Sequence, residues 1–297
     1  MRVTASRIGF AVALYLLVVG HALAQPSIPS PRMIMVNRQN MRVWSAGLEQ
    51  RKPGTPVVVL ESGLGSTLEA WQPVFADIAR LAPVVAYDRR GLGKSEFDDV
   101  APTMAHVADT LHDLLHAANI EGPYILAAHS WGVAFVRVFI DRYPSDVAGA
   151  AFLEATDFER TPMEESTELA PGSHVLNNAP ILPDGPPGFR AEVEQLLAEG
   201  DRSFATLRAT KLPPSLPMAI VIGGAARPGL PPAAAIQFAS FKRLQIKHQA
   251  AWALASPRGL VLISSSTGHE VMAENPTLAL QAIKHLVDTV HRPGVGQ

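Results

Sequence analysis

Short apolar runs separated by helical segments constrain this chain more than any other feature. Pro56 to Leu60 (PVVVL), Pro83 to Tyr87 (PVVAY), Tyr124 to Ala127 (YILA), Val147 to Leu153 and Met218 to Ile222 (MAIVI) have no polar face. A strand of that kind needs cover on both sides, as in a parallel sheet packed between two helical layers. Helical spacing occurs between the runs. In Leu68 to Leu81, Trp71, Val74, Phe75 and Ile78 share one side, and similar segments span Met104 to Ala118 and Trp131 to Arg142. Strands alternating with helices of about ten to fifteen residues imply crossover connections, hence an α/β class with a doubly wound, mostly parallel sheet. Met33 to Val36 and Met41 to Ala46, joined by Asn-Arg-Gln-Asn, predict a hairpin that adds antiparallel strands at one edge.

The pattern changes between residues 158 and 215, which begin acidic, pass through the Pro/Gly-rich stretch Pro180 to Gly188 and carry helical segments near Phe189 to Ala198 and Arg202 to Thr210. A polar helical insertion between two core strands predicts a lid. The core is then residues 32–157 and 216–297, closing with a helix from about Pro232 to Ala255, a strand from Gly259 to Ser264 and a helix near Ala279 to Val290.

The first residues read as a targeting segment. Arg2 and Arg7 precede the apolar stretch Ile8 to Gly20, and Ala22-Leu23-Ala24 offers the small residues of a cleavage site, so residues 1–24 are expected to be a secretory signal peptide. The stretch falls short of the roughly 20 residues of a bilayer span. The expected location is the periplasm or outside the cell, with no stable span after cleavage. The 25 basic and 27 acidic side chains leave no basic excess for nucleic acid. The absence of cysteine excludes disulfides, thiolate metal sites and a cysteine nucleophile. A small-molecule substrate is the expected partner.

Ser130 is the sharpest chemical signal. The strand Tyr124 to Ala127 runs into Ala128-His129-Ser130-Trp131-Gly132, and a helix follows at once. A serine on a tight strand-to-helix turn stands above the sheet, and the amide of the next residue, Trp131, points at the oxyanion that forms there. The motif is A-x-S-x-G rather than G-x-S-x-G, which requires that position 128 not need a positive φ. His269 is the expected base, because it follows the last strand through a loop at the edge where catalytic groups gather in open α/β sheets. His106, His112 and His116 lie on one predicted helix without an H-E-x-x-H pattern, so no metal site is expected there. Surface roles are expected for His248, His285 and His291, and a packing or loop role for His129. The acid is less direct. No Asp or Glu lies between Asp201 and Glu270, so it cannot follow Met218 to Ile222. Glu154, at the end of Val147 to Leu153, is the candidate, with Asp157 in reserve. The order Ser130, Glu154, His269 is that of α/β hydrolases and of neither serine-protease arrangement. A second oxyanion donor is expected from Ser62-Gly63-Leu64-Gly65, at the Leu64 amide.

Nucleotide and dinucleotide sites are excluded by pattern. No G-x-G-x-x-G opens a helix, and Gly91-Leu92-Gly93-Lys94-Ser95 has aspartate at position 88 where a phosphate-binding loop needs glycine. No cofactor or metal is expected. With Glu61 to Gly65, Tyr87 to Ser95, Ala128 to Gly132 and Gly268-His269, the chain resembles the α/β-hydrolase superfamily, in particular its esterase-like and aminopeptidase-like members. The resemblance covers residues 34 to 291. It implies an α/β-hydrolase fold with a helical cap over the site, and a Tyr87–Ser95 loop that shapes the pocket floor without being catalytic. The expected activity is cleavage of a small to medium carboxylic ester through an acyl-serine. An aminopeptidase whose amine anchor is Glu164, Glu165 or Glu168, a lactone or thioester hydrolase, and a non-catalytic binding protein of the same fold are the alternatives.

Overall fold

The computed structural model describes residues 28–161, 163–164, 185–226, 229–256 and 258–291. The expected signal peptide, and Glu165 and Glu168 of the lid, lie outside them. Among the described residues eight strands form one sheet: β1 Arg32–Val36, β2 Gln39–Ala46, β3 Val57–Glu61, β4 Val84–Tyr87, β5 Tyr124–His129, β6 Val147–Leu153, β7 Met218–Gly223 and β8 Leu260–Ser264. Their spatial order is β1-β2-β4-β3-β5-β6-β7-β8. β2 pairs antiparallel with both β1 and β4, and every other pairing is parallel. The β1–β2 turn is tighter than the sequence spacing implied: Asn37 and Arg38 alone make it, with φ of 49° and 70°. Two positive φ values match the right-handed twist of a hairpin, and asparagine tolerates that region well.

The α-helices whose bounds fall within the described residues are α1 Gln72–Leu81, α2 Met104–Ala117, α3 Gly132–Arg142, α4 Pro187–Glu199, α5 Asp201–Ala209, α6 Pro232–Leu254, the single turn α7 Val271–Glu274, and α8 Pro276–His291. Side chains alternate across the central strands, which explains their lack of a polar face. Val57 and Val59 of β3, with Leu126 of β5, pack on one side among Leu111, Leu115 and Phe139 of α2 and α3. Val58 and Leu60 of β3, with Ile125 of β5, pack on the other among Phe75, Ile78 and Ile283 of α1 and α8. Full burial of such side chains stabilises by about 1.5–3 kcal/mol each, so the two layers hold the parallel strands in register. Their carboxyl ends therefore open on one edge, where the β5–α3, β6 and β8 connections converge. α4 and α5 fall in the stretch expected to be a lid. α7 was not legible in the sequence, because four residues are too few to show a period.

Candidate active site

Ser130 joins β5 to α3 with φ of 53°, a backbone region that costs an L-residue other than glycine about 1–2 kcal/mol. Its surroundings impose that conformation. Its amide donates to Leu153 O at 3.0 Å. Gly132 lies so close to β3 that a Cβ there would sit 2.5 Å from Ser62 O, and a Cβ on Gly63 would come within 3.2 Å of Ser130 Cβ. Small residues at 63 and 132 are what let the serine stand at the sheet edge. Ala128 is fully buried and is not among the positive-φ residues, so alanine serves there without strain.

Glu154 directly follows β6 with φ of 48°, anchored by its amide on Val221 O at 2.8 Å. His269 Nδ1 lies 3.4 Å from Glu154 Oε2. A carboxylate only accepts, so in that pairing Nδ1 carries the proton, and in the neutral ring Nε2 is the nitrogen left to accept. Ser130 and His269 line the same cavity but share no hydrogen bond, a looseness common before substrate binds. Lys242 Nζ of α6 donates to Glu154 Oε1 at 3.0 Å and Oε2 at 2.8 Å, and Gly223 N donates to Oε1 at 2.8 Å. Burial pushes the Glu154 carboxyl up, but the His269 hydrogen bond, the Lys242 charge and the Gly223 amide together hold it below the usual range. It therefore stays ionised at neutral pH.

Asp157 is engaged elsewhere. Both its oxygens contact His248 Nδ1, at 2.9 and 3.0 Å, and His248 Nε2 reaches Glu164 Oε1 at 3.1 Å. The surface role expected for His248 is corrected accordingly: it is half-buried and bridges two carboxylates, because α6 lies along the loop that follows β6. Glu164 also pairs with Lys247, and with these partners its carboxyl falls to about 2. His112 and His116 face each other on the surface with Nε2 atoms 3.1 Å apart.

His129 is more than packing. Its Nε2 lies 2.8 Å from His269 O; a carbonyl only accepts, so that nitrogen holds the proton. Burial, then the neighbouring His269, depress its pKa and keep it neutral. Glu274 of α7 accepts from Gly268 N at 2.5 Å and Glu270 N at 3.1 Å. The amides on either side of His269 are thus pinned by one carboxylate, and its own carbonyl by His129. The missing sequence signal was distance: 140 residues separate His129 from His269. Among the described residues, His129, His269 and Glu270 have donor atoms within 4.8 Å of one another, close enough to share a metal. His129 Nε2 and His269 Nδ1 are, however, already committed to protein acceptors.

Leu64 and Trp131, the expected oxyanion donors, also line the cavity. Among the described residues neither backbone amide has an acceptor. The cavity measures about 890 Å³ and its wall includes Leu64, Trp131, Leu196, Phe204, Phe238 and Phe241. An ionised acid, a histidine hydrogen-bonded to it, a half-buried serine and two unpaired amides thus surround one largely apolar chamber, a combination that acyl transfer would require.

A family model described as the alpha/beta hydrolase fold matches residues 56–256. The chain belongs to this family. Among relatives of this α/β hydrolase, an uncharacterized protein YqjL of Bacillus subtilis is 32% identical over 107 residues, which is 36% of this chain and 42% of that protein. A proline iminopeptidase of Heyndrickxia coagulans is 31% identical over 113 residues, 37% of this chain and 38% of the other. The match thus spans less than half the length of either relative. Among solved structures, a thermophilic esterase from Thermogutta terrifontis superposes with a TM-score of 0.57 at 17% identity, covering 89% of this α/β hydrolase and all of the esterase. That likeness shows the fold.

Proposed function

We propose that this α/β hydrolase is a serine esterase acting on carboxylic esters with a sizeable apolar portion. The observation that carries the reading is Ser130, held at positive φ in the β5–α3 turn, on the same cavity as the His269–Glu154 pair and two unpaired amides. Ser130 Oγ adds to the ester carbon while His269 Nε2 takes its proton. The carbonyl π pair moves onto oxygen, where Leu64 and Trp131 N–H groups receive it. Collapse of the adduct breaks the bond to the alcohol, which leaves with the proton from His269. Water then repeats the sequence on the acyl-serine and releases the acid. Glu154 holds the Nδ1–H tautomer and stabilises the imidazolium without itself taking the proton.

Of the three carboxylates that could anchor a substrate amine, Glu164 is already bound by Lys247 and His248, while Glu165 and Glu168 lie outside the described residues. The ester reading is favoured by the largely apolar wall of the cavity. The test is hydrolysis of p-nitrophenyl esters by the wild type and Ser130→Ala, with fluorophosphonate labelling of both. Turnover and labelling are expected in the wild type, and a loss of at least about 10³-fold in kcat is expected in the variant. A wild type that is inert toward both reagents, or a variant that keeps its rate, would overturn the reading.

A further inference from the structure

The mechanism above leaves one buried charge cluster unused. Arg89, in the loop after β4, is buried, and all five of its N–H donors are matched. Nη1 donates to Glu61 Oε1 and to Ser62 O at 2.8 Å, Nη2 to Gly63 O at 2.7 Å and Glu192 Oε2 at 3.0 Å, and Nε to Glu192 Oε1 at 2.6 Å. Its flat face rests on the Phe135 ring of α3, 5.0 Å from the centroid. Tyr87 hydroxyl donates to the second oxygen of Glu61. Two of the acceptors are backbone carbonyls of the very loop that offers the Leu64 amide.

That loop's geometry follows from the peptide plane. In a trans peptide the C=O and the next N–H point in opposite directions. With Gly63 O held toward Arg89, the Leu64 N–H faces away from the guanidinium, on the side where Leu64 borders the cavity shared with Ser130. Turning that peptide over would aim its N–H at a cation that has no acceptor to offer and strand one Arg89 donor in the interior. Arg89 thus selects one orientation of the Gly63–Leu64 peptide.

Glu192 extends the device to the cap. It belongs to α4, yet its carboxylate carries two Arg89 donors and also accepts from Gly65 N at 2.7 Å. Two close approaches seat the same helix. Gly188 N donates to Gly91 O at 3.2 Å, and a Cβ on Gly188 would lie 2.5 Å from the Gly91 carbonyl carbon. The Phe189 ring covers Gly65, where φ is 66° and a Cβ would fall 2.1 Å from the ring. α4 is therefore bolted to both loops at the carboxyl edge of the sheet.

We propose that Arg89 and Glu192 are positioning residues that hold the Gly63–Leu64 peptide with its N–H turned to the cavity, so that the cap helix α4 determines the competence of the oxyanion site. The proposal rests on the esterase reading for its kinetic consequence, but its structural half stands apart from it. Glu192→Gln keeps the shape and leaves one acceptor oxygen for three donors. Gly188→Ala acts through a different residue, by forcing α4 off the Gly91 loop.

Two measurements test this. Amide hydrogen exchange of the segment containing residues 62–66 reports the loop whether or not any ester is cleaved, and faster exchange is expected in both variants. Inhibition by a trifluoromethyl ketone, whose adduct with serine carries the oxyanion, is compared with inhibition by the matching amide, which does not form one. In both variants kcat is expected to fall by about 10- to 100-fold, short of the roughly 10²- to 10³-fold cost of removing an oxyanion donor outright, because the amide is misaligned rather than lost. The ketone's inhibition constant should rise in parallel while KM and the amide's inhibition constant stay within about threefold. A merely structural loss would reduce the fraction of labelled sites and leave the ketone's affinity per site unchanged. That result, or unaltered exchange at residues 62–66, would overturn the proposal. A wild type inert to esters but with the exchange difference intact would count against the esterase reading and leave the loop device standing.

Discussion

Two carboxylates three residues apart, Glu154 and Asp157, divide the work after β6. Glu154 points back over the sheet edge to His269, and Asp157 points to His248 on α6. The separation makes a sharp prediction. Glu154→Gln should lower kcat by about 10²- to 10⁴-fold, because an amide no longer fixes the Nδ1–H tautomer or balances the imidazolium. Asp157→Asn should leave kcat within about threefold. Steady-state kinetics on one chromogenic ester distinguish the two, and a larger loss in Asp157→Asn would reverse the assignment. At this scale the sequence was informative where chemistry follows local spacing. Ser130 between strand and helix, Gly63 and Gly132 beside it, and Glu154 at a strand end could all be named in advance. His248, His129 and Glu192 could not, since each gains its meaning from a partner between 84 and 140 residues away.

At the scale of elements, α6 shows why such partners are hard to read. Its buried positions include Ser240, Gln245 and Gln249 beside Leu244 and Ala253, so no apolar stripe marks the inward face. The face is instead recognised by hydrogen bonds to the loop after β6: Lys242 to Glu154, Gln245 and Gln249 to Ala155 O, and His248 to Asp157. The helix itself was legible from composition and length, whereas its orientation was not. This attachment carries a pH dependence. The hydrogen bond to Asp157 raises the His248 pKa, helped by Glu164 against partial burial. A pKa raised on folding means that the stabilisation is complete below the unfolded value of about 6.5 and is lost as pH rises through the folded one. Wild type should therefore exceed His248→Gln by about 1.5–3 kcal/mol near pH 5.5, the usual worth of a hydrogen bond to a charged group, and by about 0.5–1.5 kcal/mol near pH 9. Denaturant unfolding at both pH values checks this, and a margin that grows with pH would contradict it.

For the molecule as a whole, strand order, the helices α4 and α5, and α6 combine to shape one chamber. The parallel strands deliver Ser130, Glu154 and His269 to a single edge, α4 and α5 supply Leu196 and Phe204 on one side, and α6 supplies Phe238 and Phe241 on the other. The alternation of strands and helices predicted that edge, but the chamber's size depended on where α4 and α5 settle, which apolar patterning does not record. About 890 Å³ lies at the upper end of ligand pockets, and a mostly apolar wall rewards hydrocarbon. Each methylene buried from water contributes about 0.8 kcal/mol, close to a fourfold gain in kcat/KM where the contact is kept in the transition state. Along a p-nitrophenyl series from acetate to palmitate, kcat/KM should therefore climb from acetate by about two- to fourfold per methylene, reach a maximum at intermediate length and then fall as the chain outgrows the walls. Phe204→Ala, which enlarges the chamber beside Trp131, should move that maximum to longer chains. A profile that peaks at acetate, or one that Phe204→Ala leaves in place, would mean that the acyl group does not occupy this chamber.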